Sequence, residues 1–329
     1  MKNKILEQLK SSNGQPISGE EISKRLGISR TAVWKHIKTL RSEGYNIESQ
    51  TKNGYRLTGS PDRLTINELE PLLQTGFVGR NVIYLETVDS TNTYAKRLAE
   101  GAFRDGTVVV AEEQDAGRGR LGRHWVSPAG KGIWMTLLLK PDILPTDAPK
   151  LTIVAVCSVA RALHACCGLE AGIKWPNDIV ANGRKLCGIL TEMSAEEDEI
   201  KYVVVGIGIN ANLGSADFGP EVSAIATSVS METGVEVPRK LIAAALLNEF
   251  EKAYTEFVKE GSIAFLLPEY RERSAVIGRE VRIISRKGET TGEAVDINEE
   301  GQLLVRLQDG SIREIMSGEV SVRGIYGYI

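Results

Sequence analysis

Three arginines and three glycines crowd into one short segment, Gly117-Arg118-Gly119-Arg120-Leu121-Gly122-Arg123. Glycine lets the backbone approach a ligand closely, and guanidinium groups bind phosphate oxygens in a bidentate manner. The spacing also fits the dinucleotide fingerprint G-x-G-x-x-G, but that fingerprint must open a helix. The segment instead runs into His124-Trp125-Val126-Ser127-Pro128, which predicts no helix. We therefore expect a mobile phosphate-binding loop, with a plain solvated loop as the alternative.

A second group of charged residues surrounds a predicted hairpin. Lys174-Trp175-Pro176-Asn177-Asp178 and Lys185-Leu186-Cys187-Gly188 flank Asn182-Gly183, a pair that favours a tight turn. The turn would bring Lys174 and Asp178 back near Lys185. A lysine within apolar strands needs a partner for its charge, so this group is a candidate for carboxylate and phosphate chemistry. An ordinary hairpin with an exposed lysine is the alternative.

The sequence lacks the residues that a hydrolase or a metal site would need. No G-x-S-x-G elbow is present, and the three histidines, His36, His124 and His164, stand in no triad context. His164-Ala-Cys166-Cys167 resembles a metal cluster, but adjacent cysteines on a helix diverge by about 100°, which favours buried helix residues over a zinc site. We expect no metal site.

Strands and helices alternate around the charged segments. Val203–Asn210 is predicted as a buried strand whose Gly206 and Gly208 would let a ligand pass closely. The other predicted strands of this region are Val82–Glu86, Thr107–Glu112, Ile133–Leu139, Gly172–Lys174, Ile179–Ala181 and Leu186–Met193, and the predicted helices are Thr91–Glu100, Ala148–Cys167 and Arg239–Lys259. From Val281 onward only short strands follow, which predicts a small β-barrel.

The first 60 residues have the pattern of a helix-turn-helix. Ser18 and Ser29 are predicted N-caps of two short helices joined at Gly27, and the second helix is basic. Tyr45–Gln50 and Tyr55–Thr58 then predict a two-stranded wing. The candidate DNA-binding residues are Ser29, Arg30, Thr31, Trp34, Lys35, Lys38 and Lys52. A helical hairpin with a solvated basic face is the alternative.

Charge is segregated along the chain. The net charge of the 329 residues is −3, yet residues 1–60 carry eleven Lys/Arg against five Asp/Glu, and the remainder carries a net −9. A basic module on an acidic body fits DNA binding by the amino-terminal part. Four cysteines form no disulfide framework, no signal peptide is visible, and the apolar runs are shorter than a membrane span. We expect a cytoplasmic protein without membrane association.

Six segments together resemble the bifunctional biotin protein ligase and biotin-operon repressor family over roughly residues 80–325, with the helix-turn-helix in front. These segments are Asp89-Ser90-Thr91-Asn92, Gly117–Arg123 with Trp125, Lys174–Asp178, Lys185–Leu190 with Glu192, Gly206–Asn210 with Asn212, and Gly318–Arg323. Leu121 departs from the family, where another basic residue can occur. The resemblance implies an α/β multidomain fold: a winged helix-turn-helix (1–60), a class II synthetase-like α+β ligase domain with a mixed sheet (61–274) and an SH3-like β-barrel (275–329).

The resemblance also implies a reaction in two steps. Biotin attacks the α-phosphate of ATP, bound with Mg²⁺, to form biotinyl-5′-AMP; a lysine of the biotin carboxyl carrier protein of acetyl-CoA carboxylase then takes the biotinyl group. The implied catalytic residues are Lys185, Arg120 and Asp178. The implied biotin-binding residues are Ser90, Thr91, Asn92, Gln114, Arg118, Gly119, Arg120, Lys185 and Gly188. The implied adenylate-binding residues are Arg118, Arg120, Arg123, Trp125, Lys174, Asn177, Lys185, Asn210 and Arg323.

Regulation follows from the same resemblance. This resemblance implies that the adenylate would act as corepressor, that a homodimer would bind palindromic operator DNA, and that unbiotinylated carrier would compete for the dimer surface. The alternatives are a lipoate or octanoate ligase, a ligand-sensing repressor without ligase activity, and a ligase with an idle amino-terminal module. The tail Gly324–Ile329 has no predicted role.

Overall fold

The computed structural model describes residues 1–50, 54–285, 288–316 and 321–324. The chain forms two compact units, Met1–Arg63 and Leu64–Ile329.

The amino-terminal unit is a winged helix-turn-helix, as predicted. The Oγ atoms of Ser18 and Ser29 accept the Glu21 and Ala32 N–H groups at 3.0 and 3.1 Å and so begin the second and third helices. Gly27, at φ +64°, ends the second helix. The elements are α1 (Lys2–Ser11), α2 (Gly19–Leu26), α3 (Arg30–Ser42), β1 (Asn46–Gln50) and β2 (Gly54–Gly59). Apolar faces of the three helices make the core.

A seven-stranded mixed sheet forms the centre of the larger unit. Its order is β3-β4-β5-β9-β8-β7-β6, with β3 and β4 parallel and the other neighbours antiparallel. The strands are β3 (Val82–Val88), β4 (Thr107–Gln114), β5 (Ile133–Leu139), β6 (Gly172–Lys174), β7 (Asp178–Ala181), β8 (Arg184–Glu196) and β9 (Glu199–Ile209). Each predicted strand is present, β8 extends beyond both of its predicted ends, and β9 begins earlier than predicted.

Two long helices, α6 (Leu151–Cys167) and α8 (Arg239–Glu260), pack on each other and on the sheet. The predicted start of α6 at Ala148 is wrong, because Pro145–Lys150 forms 3₁₀ turns and Pro149 cannot donate an α-helical hydrogen bond. Cys166, predicted as buried, is exposed. The shorter helices are α4 (Ile66–Leu69), α5 (Thr91–Ala99), α7 (Val229–Thr233) and α9 (Leu267–Glu272).

One stretch of the described residues, Pro145–Cys167, is long and apolar enough to cross a membrane, contrary to the expectation that every apolar run is too short. However, 67% of its apolar window is buried inside the protein. A core helix passes the same test of length and composition, so this stretch is weak evidence for a span.

The carboxyl-terminal strands form a five-stranded antiparallel sheet of order β13-β12-β11-β10-β14. They are β10 (Glu280–Ser285), β11 (Gly288–Ile297), β12 (Leu303–Arg306), β13 (Ile312–Ile315) and β14 (Ser321–Gly324). Among the described residues β13 and β14 are the two edges of an open sheet, so the predicted closure into a barrel is not observed. Side chains such as Val281, Ile297 and Leu303 belong to the same apolar core as α6 and α8.

Candidate functional site

The predicted hairpin forms and pairs the two charged groups that its sequence indicated. Asn182 and Gly183 both have positive φ, +47° and +77°, as a two-residue turn of type I′ requires. The turn joins β7 to β8 and places the Nζ atom of Lys185 2.5 Å from Oδ1 of Asp178. The side chains of Lys185 and Asp178 are 23% and 13% exposed. The lysine is therefore held by a carboxylate in a sheltered position rather than lying free in solvent.

A cavity of about 570 Å³ lies over this pair. This volume is in the usual range for small-molecule sites. Every predicted catalytic, biotin-binding or adenylate-binding residue except Arg323 lines it: Ser90, Thr91, Asn92, Gln114, Arg118, Gly119, Arg120, Arg123, Trp125, Lys174, Asn177, Asp178, Lys185, Gly188 and Asn210. Segments more than 100 residues apart in the sequence thus meet in one site.

One wall of the cavity is a chain of uncharged hydrogen-bonding groups. The backbone N–H and Oγ1 of Thr91 both lie within bonding distance of Gln114 Oε1, at 2.9 and 3.1 Å. Gln114 in turn donates through Nε2 to Ser127 Oγ at 2.9 Å. Ser90 is buried beside them. This wall suits a ligand group with its own donors and acceptors, such as a ureido ring.

Asn92 extends the same wall, and its carboxamide is fixed at both ends. Its Nδ2 atom donates to the carbonyl of Leu190 at 3.2 Å and to Glu192 Oε2 at 2.9 Å. The hydroxyl of Thr136 donates to its Oδ1 at 2.6 Å. A Cβ atom on Gly206 would lie 2.1 Å from that Oδ1, so glycine on β9 is what leaves room for the carboxamide.

A second part of the lining is cationic. Arg120 donates to Asn177 Oδ1 at 3.1 Å. Burial lowers the pKa of the Arg120 guanidinium, the nearby Asp178 carboxylate opposes that shift, and Arg123 adds to it. Lys174 is also buried here. The arrangement places several positive charges in a partly dehydrated space, where they stabilise developing negative charge more strongly than in water.

The indole ring of Trp125 covers part of this cationic lining. Lys185 Nζ lies 5.2 Å from the centre of its ring, and the ring packs edge-on against Trp134 at 6.4 Å. Gly188 and Gly208 leave space for the indole, since a Cβ on Gly208 would lie 2.6 Å from Trp125 Nε1. That Nε1 is buried and has no hydrogen-bond partner among the described residues.

The arginine-rich loop folds back on itself. The N–H of Gly119 donates to Arg123 O at 2.8 Å, and the N–H of Trp125 donates to Gly117 O at 2.9 Å. Leu121 sits at the tip in the left-handed region, at φ +58°, and is 72% exposed. Arg120–Gly122 makes a single 3₁₀ turn, so the loop does not open an α-helix, as its sequence predicted.

Sequence reasoning missed two groups of residues, one that supports the cavity wall from behind and one that lines the cavity. Ser127 and Thr136 fix the uncharged wall, but neither stands in a motif, and Thr136 lies in an apolar strand. The segment from Phe218 to Ala226 contributes apolar side chains to the lining. Its backbone passes beside Lys185, whose N–H donates to Ile225 O at 2.7 Å. This segment carries no motif or charged cluster in the sequence that would indicate such a contact.

Arg323 and Lys52 stand apart from the other candidates. The backbone of Arg323 lies in β14, opposite Arg282, and its side chain is outside the described part of the protein. Lys52 is also outside the described residues. The six remaining DNA-binding candidates, Ser29, Arg30, Thr31, Trp34, Lys35 and Lys38, are all exposed on or just before α3. Lys38 Nζ lies 5.8 Å from the ring centre of Trp34.

Known proteins match nearly the whole length of the chain. The bifunctional ligase/repressor BirA of Bacillus spizizenii is 42% identical over 318 residues, which cover 97% of each chain. The chain belongs to the bifunctional biotin protein ligase and repressor family. BirA of Escherichia coli is 33% identical over 94% of each chain. The biotin protein ligase of Aquifex aeolicus, solved with biotin and ATP, is 33% identical and superposes with a TM-score of 0.65, covering 74% of this chain and 99% of that chain.

Family models place the same parts in the same order. Residues 2–56 match the HTH domain, residues 84–210 the biotin/lipoate A/B protein ligase family, and residues 276–323 the biotin protein ligase C terminal domain. The resemblance read from the six sequence segments is thereby confirmed. Residues 84–210 include every residue that lines the cavity except those of the segment from Phe218 to Ala226.

Proposed function

We propose that the chain forms biotinyl-5′-AMP from biotin and MgATP, passes the biotinyl group to a carrier-protein lysine, and represses transcription through its helix-turn-helix. The convergence of an uncharged hydrogen-bonding wall and a cationic wall on one cavity carries the ligase part of this proposal. Biotinyl-5′-AMP suits both walls, because it has an uncharged biotin ring system at one end and a negatively charged phosphate further along. Family membership supports the same activity.

The uncharged wall fits biotin. Ser90, Thr91, Asn92 and Gln114 would bind the ureido group, and Gly188 would let the ring system lie close to β8. Because the Thr91–Gln114 and Asn92–Thr136 contacts are already made, the wall is ordered before the ligand arrives. Such preorganisation avoids the entropic cost of ordering side chains on binding.

The cationic wall fits the nucleotide. Lys185 and Arg120 would hold the biotin carboxylate and the α-phosphate together as charge develops in the transition state, a role worth roughly two to three orders of magnitude in rate for one such group. Arg118, Gly119 and Arg123 would close over the adenylate with the loop. Trp125, whose buried Nε1 has no partner among the described residues, offers a donor to it. Lys174, Asn177, Asn210 and Arg323 complete the proposed nucleotide contacts, and Mg²⁺ enters with ATP.

Asp178 is suited to the transfer step. Its carboxylate pairs with Lys185 at 2.5 Å before ligand binds. Once Lys185 turns to the phosphate, Asp178 is released to orient the incoming lysine amine and accept its proton. The amine then attacks the acyl carbon, the acyl–oxygen bond to phosphate breaks, and AMP leaves. The biotin carboxyl carrier protein of acetyl-CoA carboxylase is the proposed acceptor.

The DNA-binding role belongs to the amino-terminal unit. The exposed cations of α3 would neutralise phosphates, and residues at its start would reach base edges in the major groove. A homodimer formed on the adenylate complex would present two such helices to a palindromic operator. Lys52 would contact DNA from the wing. We place the protein in the cytoplasm.

Finer features of the fold are part of the same proposal. The mixed sheet with its flanking helices would be of the class II synthetase type, and the carboxyl-terminal strands would form an SH3-like sheet that stays open between β13 and β14 in the described residues. The three-part division at residues 60/61 and 274/275 would separate the DNA reader, the catalytic domain and this small domain.

Competition between substrates tests the ligase. The full chain is incubated with MgATP, equal biotin and lipoate, and both acceptor domains, and the acceptors are weighed by mass spectrometry. We expect biotin on the biotin acceptor. Lipoate transfer alone would favour the lipoate ligase, which the family model's description also covers. No transfer, with DNA binding intact, would favour a repressor without ligase activity.

Gel mobility tests the repressor. A promoter fragment of a biotin-synthesis operon is mixed with the chain, with and without biotin and ATP. We expect a shift that needs both ligands. If no condition shifts the fragment, the result favours a ligase whose amino-terminal unit does not bind this DNA.

A further inference from the structure

The K-W-P-N-D segment is held from outside the cavity by a turn of the carboxyl-terminal sheet. Trp175 lines the cavity, yet its side chain is only 1% exposed and its indole N–H donates to the carbonyl of Gly301 at 3.0 Å. Gly301 lies in the turn between β11 and β12. This is a contact between residues 126 positions apart.

The turn itself is rigid. Asn298 Oδ1 accepts the N–H groups of Glu300 and Gln302 at 3.1 and 2.9 Å, and the Asn298 N–H donates to Gln302 O at 3.1 Å. Gly301 adopts φ +73°, a left-handed conformation that favours glycine. The carbonyl that Trp175 meets is therefore presented by a preformed loop.

Two further contacts seat the same sheet against the catalytic body. Lys150, 6% exposed, lies 2.9 Å from Glu300 Oε2 and 2.9 Å from Asp147 Oδ1. The backbone of β6 exchanges hydrogen bonds with the segment leading to the sheet: Ile173 N–H donates to Arg273 O at 2.7 Å, and Ala275 N–H donates to Ile173 O at 2.8 Å. The strand that ends in Lys174 is thus fixed by the chain that enters the carboxyl-terminal sheet.

We propose that Trp175 is a positioning residue: its hydrogen bond to Gly301 makes the carboxyl-terminal sheet set the place of Asn177 and Asp178 in the nucleotide half of the cavity. Asn177 holds Arg120 at 3.1 Å, and Asp178 holds Lys185 at 2.5 Å. Both cations of the proposed adenylation step therefore rest on the segment that Trp175 anchors. The wall for the biotin ring system is held by other contacts, at the start of α5, on β4 and β5, and at Leu190 and Glu192 of β8. The two halves meet at Ile189, whose carbonyl accepts from Asn177 Nδ2 at 2.7 Å and whose N–H donates to Asn177 O at 2.9 Å. This inference rests on the proposed ligase function.

The nucleotide half and the biotin half of the cavity can be measured separately, and the inference predicts different effects on each. Loss of the indole N–H should disturb the nucleotide half and leave the biotin half intact, because a small misplacement of a catalytic group can cost up to about a hundredfold in rate. For Trp175→Phe we expect adenylate formation to fall about tenfold or more in kcat/KM for ATP. The Kd for biotin alone should change much less, by under about threefold, because the ring-binding wall stays in place and only the carboxylate end of biotin would meet Arg120 and Lys185.

Two more variants separate positioning from folding. Benzothienylalanine at position 175 keeps the shape of the indole and lacks its N–H, so it should reproduce the loss without the cavity that Phe leaves. Arg271→Gln is the matched control: Arg271 binds Asp296 at 2.7 Å and Ile297 O at 3.1 Å, so it also seats the sheet but does not touch the K-W-P-N-D segment. Its kcat/KM should stay within about twofold of wild type.

The readouts are biotin titration calorimetry, adenylate formation and the indole NMR signal of Trp175, whose buried N–H should exchange slowly with solvent. If the wild-type chain forms adenylate and the kcat/KM of both Trp175 variants stays within twofold of it, the inference about Trp175 is refuted and the proposed function stands. Equal losses in Arg271→Gln and Trp175→Phe, or a parallel loss of biotin affinity, would mean that Trp175 merely stabilises the fold and would also refute it. A wild-type chain that makes no adenylate would refute the function and this inference together.

Discussion

Gly206 is the position where one added methyl group should have the clearest local consequence. A Cβ there would lie 2.1 Å from Asn92 Oδ1 and 2.8 Å from its Cγ, both too close for van der Waals contact. In Gly206→Ala the carboxamide of Asn92 must therefore move. It is buried, so it cannot move without breaking its hydrogen bonds.

The size of the effect follows from those bonds. Asn92 has contacts of 2.6 Å to Thr136, 3.2 Å to Leu190 O and 2.9 Å to the carboxylate of Glu192. A neutral bond contributes about 1 kcal/mol net and one to a charged group about 1.5–3 kcal/mol. Allowing for partial replacement, we expect the free energy of unfolding to fall by about 2–4 kcal/mol. Biotin affinity should fall by more than tenfold, because the displaced carboxamide is lost from the biotin wall.

Urea unfolding and biotin titration calorimetry measure both effects. Gly101→Ala is the control for the glycine-to-alanine change, since its Cβ would have no neighbour nearer than Leu98 O at 3.8 Å. The decisive variant is Gly206→Ala in an Asn92→Ala background, where the clash is gone and the added cost should drop below about 0.5 kcal/mol. An equal cost in both backgrounds would refute the steric reasoning.

Four other outcomes follow from the contacts described. Lys185→Ala should lower adenylate formation by about 10²–10³-fold, measured by single-turnover kinetics, and an unchanged rate would remove Lys185 from the reaction. Arg239→Met should lower the free energy of unfolding in urea by about 3–5 kcal/mol, because it leaves Glu112 buried without the partner now 2.8 Å away; a cost under 1 kcal/mol would contradict this. Lys35→Ala or Lys38→Ala should each reduce the salt slope of operator binding by about one, and an unmoved slope would place them away from phosphates. Hydrogen bonding to Lys131 lowers the pKa of Asp217 below its ordinary value of 3.8. The stability that this ion pair adds is therefore complete above pH 3.8 and is lost as the pH falls through the lowered pKa. Lys131→Met should lower the free energy of unfolding by under about 1 kcal/mol at pH 7, and the difference in melting temperature between the variant and wild type should narrow below pH 3.8.

The elements of the fold were largely predictable because their signals are local. Ser18, Gly27 and Ser29 mark helix ends through bonds to residues three or four positions away, and the Asn182-Gly183 turn needs only its own two backbone conformations. The closeness of Lys185 and Asp178 follows from that turn. Family membership confirms the ligase and repressor assignment that the six segments indicated.

Long-range packing was less accessible. Nothing near Thr136 in the sequence shows that its hydroxyl meets Asn92, 44 residues away, and nothing near Trp175 shows that its N–H meets Gly301. The start of α6 was misplaced because the apolar pattern continues through Pro149, where the backbone cannot. The open carboxyl-terminal sheet differs from the predicted barrel because strand spacing does not determine which edges pair.

Direct detection of the intermediate tests the central claim, that one cavity joins biotin to the α-phosphate of ATP. The chain is mixed with biotin and MgATP without acceptor, quenched, and its small molecules are quantified by liquid chromatography and mass spectrometry. We expect biotinyl-5′-AMP and pyrophosphate in equal amounts, near one per chain. Lipoyl-AMP in place of biotinyl-AMP in a matched lipoate reaction, or no adenylate from either acid, would contradict the account.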